Sequence, residues 1–460
     1  MNKLDSHATQ HSDAIAQLMQ DVERHYDRLH GILVHMLQND PEQLHQYPVH
    51  HLMRFPELLP HVMPRLRTLA ETEQNLECKR YYLYNLLACG LVSGNIAAYN
   101  QVLENRDHID TSLSALGLDF RPLTGLVIIL DSSDITILAD DQADIEKCRF
   151  FASGIEQTLH ERFGGMQPKP TVFFLRGKGP SPYHVALHSA FLMVGHYKGS
   201  PGEREQVHAA ILHELTHISI GTGRRVRIEP EMNGVFKFLD EGVAIQNSYT
   251  SVPQSAGIFT KFFNSAVVLH EFTPFALQDI MTNWFEFLYK RQYLPTYDYA
   301  CTFVAFLDSL PGESYMEVFR QWGMQAETVD PLEYLCRRAG ITWQEVEQRW
   351  LAHIGQFAAS TTQSEATQIR LEQHTETESA FSFTSRHELW PEKDIFCIRE
   401  EKELLPVHSD AGNSYRYCTA GGFYVECGDE PPAPGSLRFI VLHKGSMQSI
   451  VCPSLSPQGT

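Results

Sequence analysis

Apolar residues recur at helical spacing through the first hundred positions. Ile15, Leu18, Met19, Val22, Tyr26, Leu29, Leu33, Met36 and Leu37 predict an amphipathic helix over 11–38. Further helices are predicted at about 56–72, 74–90 and 94–105, with Pro and Gly between them, giving an all-helical N-terminal domain over 1–117. The pattern changes near 120. TGLVIILDSSDITILA is rich in β-branched residues and predicts one strand or a strand pair. Asp140 or Asp141 then caps a helix with Ile145, Phe151, Ile155, Leu159 and Phe163 on one face. PTVFFLRG and HSAFLMVGHYKG predict a second and a third strand, and a long helix runs from near Gly202 to Gly221. More helices follow at about 231–249, 275–290, 297–309, 313–323, 330–338 and 342–358. Strands first and helices afterwards make 118–358 an α+β domain. Residues 359–380 are polar without apolar periodicity and predict a linker. IFCIREE, GGFYVECG and SLRFIVLHKG predict a small β-rich module over 381–460.

The 460 residues are ample for a large core without help from disulfides or metals. Lys+Arg number 37 and Asp+Glu 56, a net charge of −19. So acidic a surface repels phosphate backbones, which argues against nucleic acid as a partner. No apolar run approaches the ~18 residues of a membrane span. The N-terminus has no apolar signal core, so the expected location is the cytoplasm, with leaderless export left open. Nine scattered cysteines without a CxxC pair, Cys397, Cys418, Cys427 and Cys452 among them, are expected to be free thiols. His50 and His51 have no ligand partners at i+3 or i+4 and are expected to be solvated.

The chemistry is concentrated in VHAAILHELTHISIG, which contains His213-Glu214-Leu215-Thr216-His217. On a helix, positions i and i+4 share a face, so both imidazoles can point at one ion. Glu214 lies about 100° around from His213, beside that ion, where a general base for a metal-activated water belongs. In a chain with 23 histidines such a string arises by chance about 0.08 times, so the context has to strengthen it. Ala209, Ala210, Ile211, Leu212, Leu215, Ile218 and Ile220 cover most of the circumference and predict a buried helix. Polar groups there need partners. A metal would satisfy all three; histidines bonded to backbone carbonyls are the alternative.

A catalytic zinc takes three protein ligands and keeps one position for water. The extended form HExxHxxGxxH fails, because Ile220 and Gly223 stand where it needs Gly and His. An aspartate after a Gly-Thr pair also fails: Gly221-Thr222 is present, but Arg224 replaces the aspartate. A glutamate on a following helix remains, and Glu241 in VFKFLDEGVAIQ lies 24 residues past His217. Gly242 and Ala244 are small, which is expected to let its helix approach the first. Asp240 is shorter, points about 100° away, and is expected to be solvated or to play a supporting role. Glu229 and Glu231 fall in the loop between the helices and are set aside.

HELTH followed by FLDEGVA resembles the gluzincin zinc metallopeptidases, the thermolysin-like and aminopeptidase-like group with an HExxH…EGxA signature, across roughly 122–358. The segment at 125–195 is similar to the sheet that precedes the active-site helix in that group. YDYACTFVAFLDSLPGESYMEVF is similar to the helix after the zinc site, with Tyr297-Asp298-Tyr299-Ala300 matching its Tyr-x-x-(Gly/Ala) pattern. GITWQEVEQRWLAHI is similar to the final helix of such domains. Two departures stand out. HSAFLMVGHYKGS lacks the glutamate with which aminopeptidases grip a free amine, and Ile245 replaces the aspartate that orients a zinc histidine in thermolysin.

The resemblance implies a thermolysin-like peptidase domain holding one Zn²⁺ per chain through His213, His217 and Glu241. It further implies Glu214 as general base and Tyr297 as hydrogen-bond donor to the oxyanion. Tyr299, about 200° around the helix, cannot share that role. The expected activity is zinc-dependent hydrolysis of a protein or peptide substrate, with the N-terminal helices as a recognition or regulatory element. The competing expectation is a non-catalytic zinc-containing scaffold whose flanking domains recruit a partner; an intact Glu214 argues against it.

Overall fold

A computed structural model describes residues 59–74, 76–104, 122–163, 166, 169–176, 183–185, 189–220, 233–250, 256–272, 276–284, 296–324, 330–357, 361–362, 367–374, 378–389, 394–400, 403–409, 418–426, 436–443 and 446–451. The helix expected over 11–38 and the His50-His51 pair lie outside these residues. Helices and several small sheets make the architecture α+β. Two compact units divide the chain: 1–227 with 316–329, and 228–315 with 330–460.

The first unit begins with α1 (Leu59–Thr72), α2 (Leu76–Val92) and α3 (Ile96–Glu104). Leu59, Val62, Met63, Leu66 and Ala70 form the buried stripe of α1. Gly90 lets α2 meet α3, since a Cβ there would stand 2.9 Å from the Tyr99 backbone nitrogen. Asn100 ties α3 to the chain entering the sheet: its Nδ2 donates to Leu123 O (2.6 Å), and Leu123 N donates to its Oδ1 (2.8 Å).

Five strands follow, β1 (Leu126–Asp131), β2 (Thr136–Asp140), β3 (Thr171–Leu175), β4 (Tyr183–Val185) and β5 (Ser189–Met193), in the order β1-β2-β3-β5-β4. The β2-β3-β5 core is parallel and both edges pair antiparallel. Between β2 and β3 the expected single helix is two, α4 (Ile145–Ala152) and α5 (Glu156–Phe163). Gly154 at φ +79 breaks it, a left-handed turn that only glycine enters readily. The cap is Asp144, whose side chain accepts from Lys147 N, and neither Asp140 nor Asp141. Asp140 is instead fully buried and ion-paired to Arg176 at 2.9 Å; burial raises its pKa, against the pull of that guanidinium.

Helix α6 (Pro201–Ile220) packs on β5, β4, α4 and α5. Its start is strongly specified. Pro201 occupies the first turn, and the Glu203 carboxylate accepts from the backbone N–H groups of Lys198, Gly199 and Ser200. Helix α11 (Tyr315–Met324) comes later in the chain.

The second unit contains α7 (Asn233–Thr250), α8 (Ala256–Phe272), α9 (Leu277–Thr282), α10 (Thr296–Ser309), α12 (Pro331–Ala339) and α13 (Trp343–Phe357). Of the helix expected over 275–290, only 277–282 is helix α9, and 285–290 lies outside the described residues. α8 was not anticipated. Its apolar positions include Phe262, Phe263, Ala266, Val268, Leu269 and Phe272, all buried. An aromatic core of Phe238, Trp284, Tyr299, Phe303 and Trp350 joins α7, α10 and α13.

Two sheets complete this unit. One runs β10 (Glu403–Leu405), β9 (Ile395–Arg399), β13 (Leu437–His443), β14 (Ser446–Val451), β6 (Thr361–Thr362); the other runs β11 (Val407–Ser409), β12 (Cys418–Glu426), β8 (Glu378–Leu389), β7 (Thr367–His374). Phe381, Phe383 and Phe423 from the second sheet meet Cys397, Phe439 and Val441 from the first in one core. The expected linker over 359–380 is therefore largely strand. β7 pairs antiparallel with β8, and only alternate residues, Thr367, Ile369 and Leu371, face inward, so an edge strand with a polar outer face reads as a polar spacer. α8 holds the sandwich through a buried Lys261–Asp394 ion pair (2.7 Å) and through Phe272 under the Arg438 guanidinium. Cys89, Cys148, Cys301 and Cys336 are free thiols.

Candidate metal centre

Helix α6 presents the motif from its last two turns. Val207, Ile211, Leu212, Leu215 and Ile218 are buried around it, as the sequence leads one to expect. His217 is 1% exposed, while the His213 side chain keeps 19%. Their Nε2 atoms stand 3.2 Å apart with the rings nearly perpendicular. The i, i+4 spacing thus converges both imidazoles on one point. Glu214 is 3% exposed, and its Oε1 lies 3.9 Å from His213 Nε2, beside the pair. His217 is in the last turn, where the helix dipole favours positive charge.

Glu241 lies in the middle of α7 and is buried. Lys237, one turn earlier, reaches two carboxylates at once: its Nζ is 2.8 Å from Asp240 Oδ2 and 2.9 Å from Glu241 Oε1. Burial alone would lower the lysine pKa, but the two carboxylates hold it well above its ordinary value. Asp240 is not solvated. It is 0% exposed and bound to that ammonium. Lys237 escaped the sequence reading, although its i+3 and i+4 spacing to Asp240 and Glu241 is a signal that local pattern carries.

Gly242 serves a different neighbour from the one expected. A Cβ there would stand 2.5 Å from Ala300 O and 2.7 Å from Val304 Cγ2, so the small residue admits α10. Ala300, fully buried, is the small residue of the Tyr-x-x-(Gly/Ala) pattern, which is here a helix-packing feature. Ile245 packs with Phe262 and Cys301, so no carboxylate stands at its position.

Of the three expected ligands, His213 and His217 converge on α6 in the first unit, and Glu241 is held on α7 in the second. Tyr297 sits at the start of α10, half-buried, its ring edge-on to Trp284 at 5.3 Å. Tyr299 is buried against Trp350 at 4.9 Å, and burial raises its pKa far above the ordinary tyrosine value. No family model and no curated protein matches this chain. The functional reading therefore rests on the residues themselves. No described helix is long and apolar enough to cross a membrane.

Proposed function

We propose that the chain is a zinc-dependent peptidase of gluzincin type, with a thermolysin-like domain built around α6 and its preceding sheet. The observation that carries this reading is the histidine pair. Two tetrahedral Zn–N bonds of ~2.0–2.1 Å set a nitrogen–nitrogen edge of ~3.3 Å, and the two Nε2 atoms stand 3.2 Å apart. Two imidazoles and a carboxylate are also the donor set that zinc takes in hydrolases of this kind. The sheet before α6, with an antiparallel edge strand, supports the same reading.

Zinc bound there supplies Lewis acidity toward a carbonyl and lowers the pKa of a water. The chain's own residues do the rest. Glu214, held in a buried place beside His213, takes the proton of the attacking water and returns it to the leaving amine. Tyr297 donates a hydrogen bond to the carbonyl oxygen as it gains charge. The substrate is a protein or peptide, and the N-terminal helices recruit or regulate it.

Purified protein should contain one zinc and degrade a denatured protein such as casein, and a chelator should stop it. His217→Ala and Glu241→Ala should lose the metal. Glu214→Gln should keep the metal and lose about 10²–10⁴-fold in turnover. Full zinc content in both ligand variants would sink the assignment. Zinc without hydrolysis in the wild type would favour the non-catalytic scaffold instead.

A further inference from the structure

One ammonium on α7 is shared between a candidate zinc ligand and its sequence neighbour. Lys237 Nζ is 2.8 Å from Asp240 Oδ2 and 2.9 Å from Glu241 Oε1, and all three belong to the same two turns. The two carboxylates differ in their surroundings. Asp240 is 0% exposed and Glu241 8%, while the Lys237 side chain keeps 30% of its surface in solvent. A divalent cation on Glu241 would share its carboxylate with an ammonium, and two positive charges on one carboxylate repel strongly in a buried setting. The ammonium therefore has to swing toward another anion or toward water. Asp240 is the other anion, already in contact, and the exposed part of the lysine stem gives it room to move.

On the reading that Glu241 is a zinc ligand, we infer that Asp240 sets the metal affinity of the site by drawing Lys237 off Glu241. Lys237 is a competitor for the ligand oxygen, and Asp240 is the positioning residue that restrains it. This gives Asp240 a role other than that of a ligand. It also explains why a lysine is tolerated one turn from a cation site: the Lys237–Asp240 pair is close to neutral as a unit. Outer partners of metal ligands typically change affinity by about 10–100-fold when removed, and here the signs of the two removals are opposite. Without Asp240 the ammonium keeps Glu241 as its carboxylate partner among the described residues, and zinc must displace it. Without Lys237 this ammonium no longer competes for the ligand oxygen, and Asp240 adds negative charge nearby.

The test is zinc affinity of the full chain, measured by competition with a chromophoric chelator, with circular dichroism as the folding control. Asp240→Asn should weaken zinc binding about 10–100-fold. Lys237→Met should tighten it by about 10-fold, and the double variant should return close to wild type. Unchanged affinity in Asp240→Asn, or a double variant no better than Asp240→Asn, overturns the inference. So does weaker binding in Lys237→Met, since it would make the lysine a support for Glu241. If Asp240→Asn fails to fold, Lys237→Met decides alone by the sign of its effect. A wild type that binds no zinc overturns the metal reading itself, whereas a zinc-binding wild type with insensitive variants overturns only this inference.

Discussion

Replacing Gly242 by alanine should separate two effects that usually travel together. Alanine is the better helix former by about 1 kcal/mol, so on local grounds Gly242→Ala would stabilise α7. The packing opposes it. The new methyl would stand 2.5 Å from Ala300 O, 2.7 Å from Val304 Cγ2 and 2.8 Å from Ala300 C. A side-chain tip can turn away, but a backbone carbonyl inside α10 moves only with its helix. Overpacking costs about 1–3 kcal/mol, and the contact with backbone places this case at the upper end. The net effect is a loss of about 2 kcal/mol, from ~3 of strain less ~1 of helix propensity. For a unit of this size that lowers Tm by about 4–8 °C. Gly355 is the control: it is exposed near the end of α13, and a Cβ there meets nothing within 4 Å. Gly355→Ala should therefore gain up to about 1 kcal/mol and raise Tm by about 2–4 °C. Differential scanning calorimetry on the two variants measures both shifts. Equal stabilisation by the two substitutions would show that α7 and α10 are not in contact at Gly242, and would remove the packing account of the Gly-Ala pair.

Tyr297→Phe should lower kcat by about 10²–10³-fold, as for loss of one oxyanion donor, with zinc content unchanged. Tyr299→Phe, deep in the core against Trp350, should leave turnover within a few-fold; the reverse pattern would move the role to Tyr299. The Glu203 carboxylate is partly desolvated, yet three backbone N–H donors from Lys198, Gly199 and Ser200 hold its pKa below the ordinary glutamate value. A depressed folded pKa contributes stability that is complete above the unfolded value and is lost as pH falls through the folded one. The stability gap between wild type and Glu203→Gln in urea titrations should thus be open at pH ~7 and shrink below pH ~4. A gap independent of pH would assign the effect to shape and not to charge.

The sequence by itself determined what depends on neighbours along the chain. The i, i+4 placement of His213 and His217 and the position of Glu214 beside them follow from helical geometry alone. So does the start of α6, fixed by Pro201 and the Ser200–Glu203 box. The strand-then-helix order was likewise legible, because β-branched runs and 3.6-residue stripes are local signals. The Lys237–Asp240–Glu241 contacts were within reach of the same reasoning. Gly154 was also a local signal, since a left-handed turn splits a stripe whose apolar spacing alone runs on.

Only the tertiary structure decided which surface each face covers. Asp140 looks like a helix cap until Arg176, 36 residues on, claims it in the core. Gly242 looks like a docking point for α6 until Ala300 and Val304 arrive from α10. The 367–374 segment looks like a spacer until β8 supplies its backbone partners. A periodic pattern states that a face will be buried, because burial of apolar surface is favourable against almost any apolar partner. Which partner it meets depends on shape and hydrogen-bond complementarity between segments distant in sequence, and no local pattern encodes that.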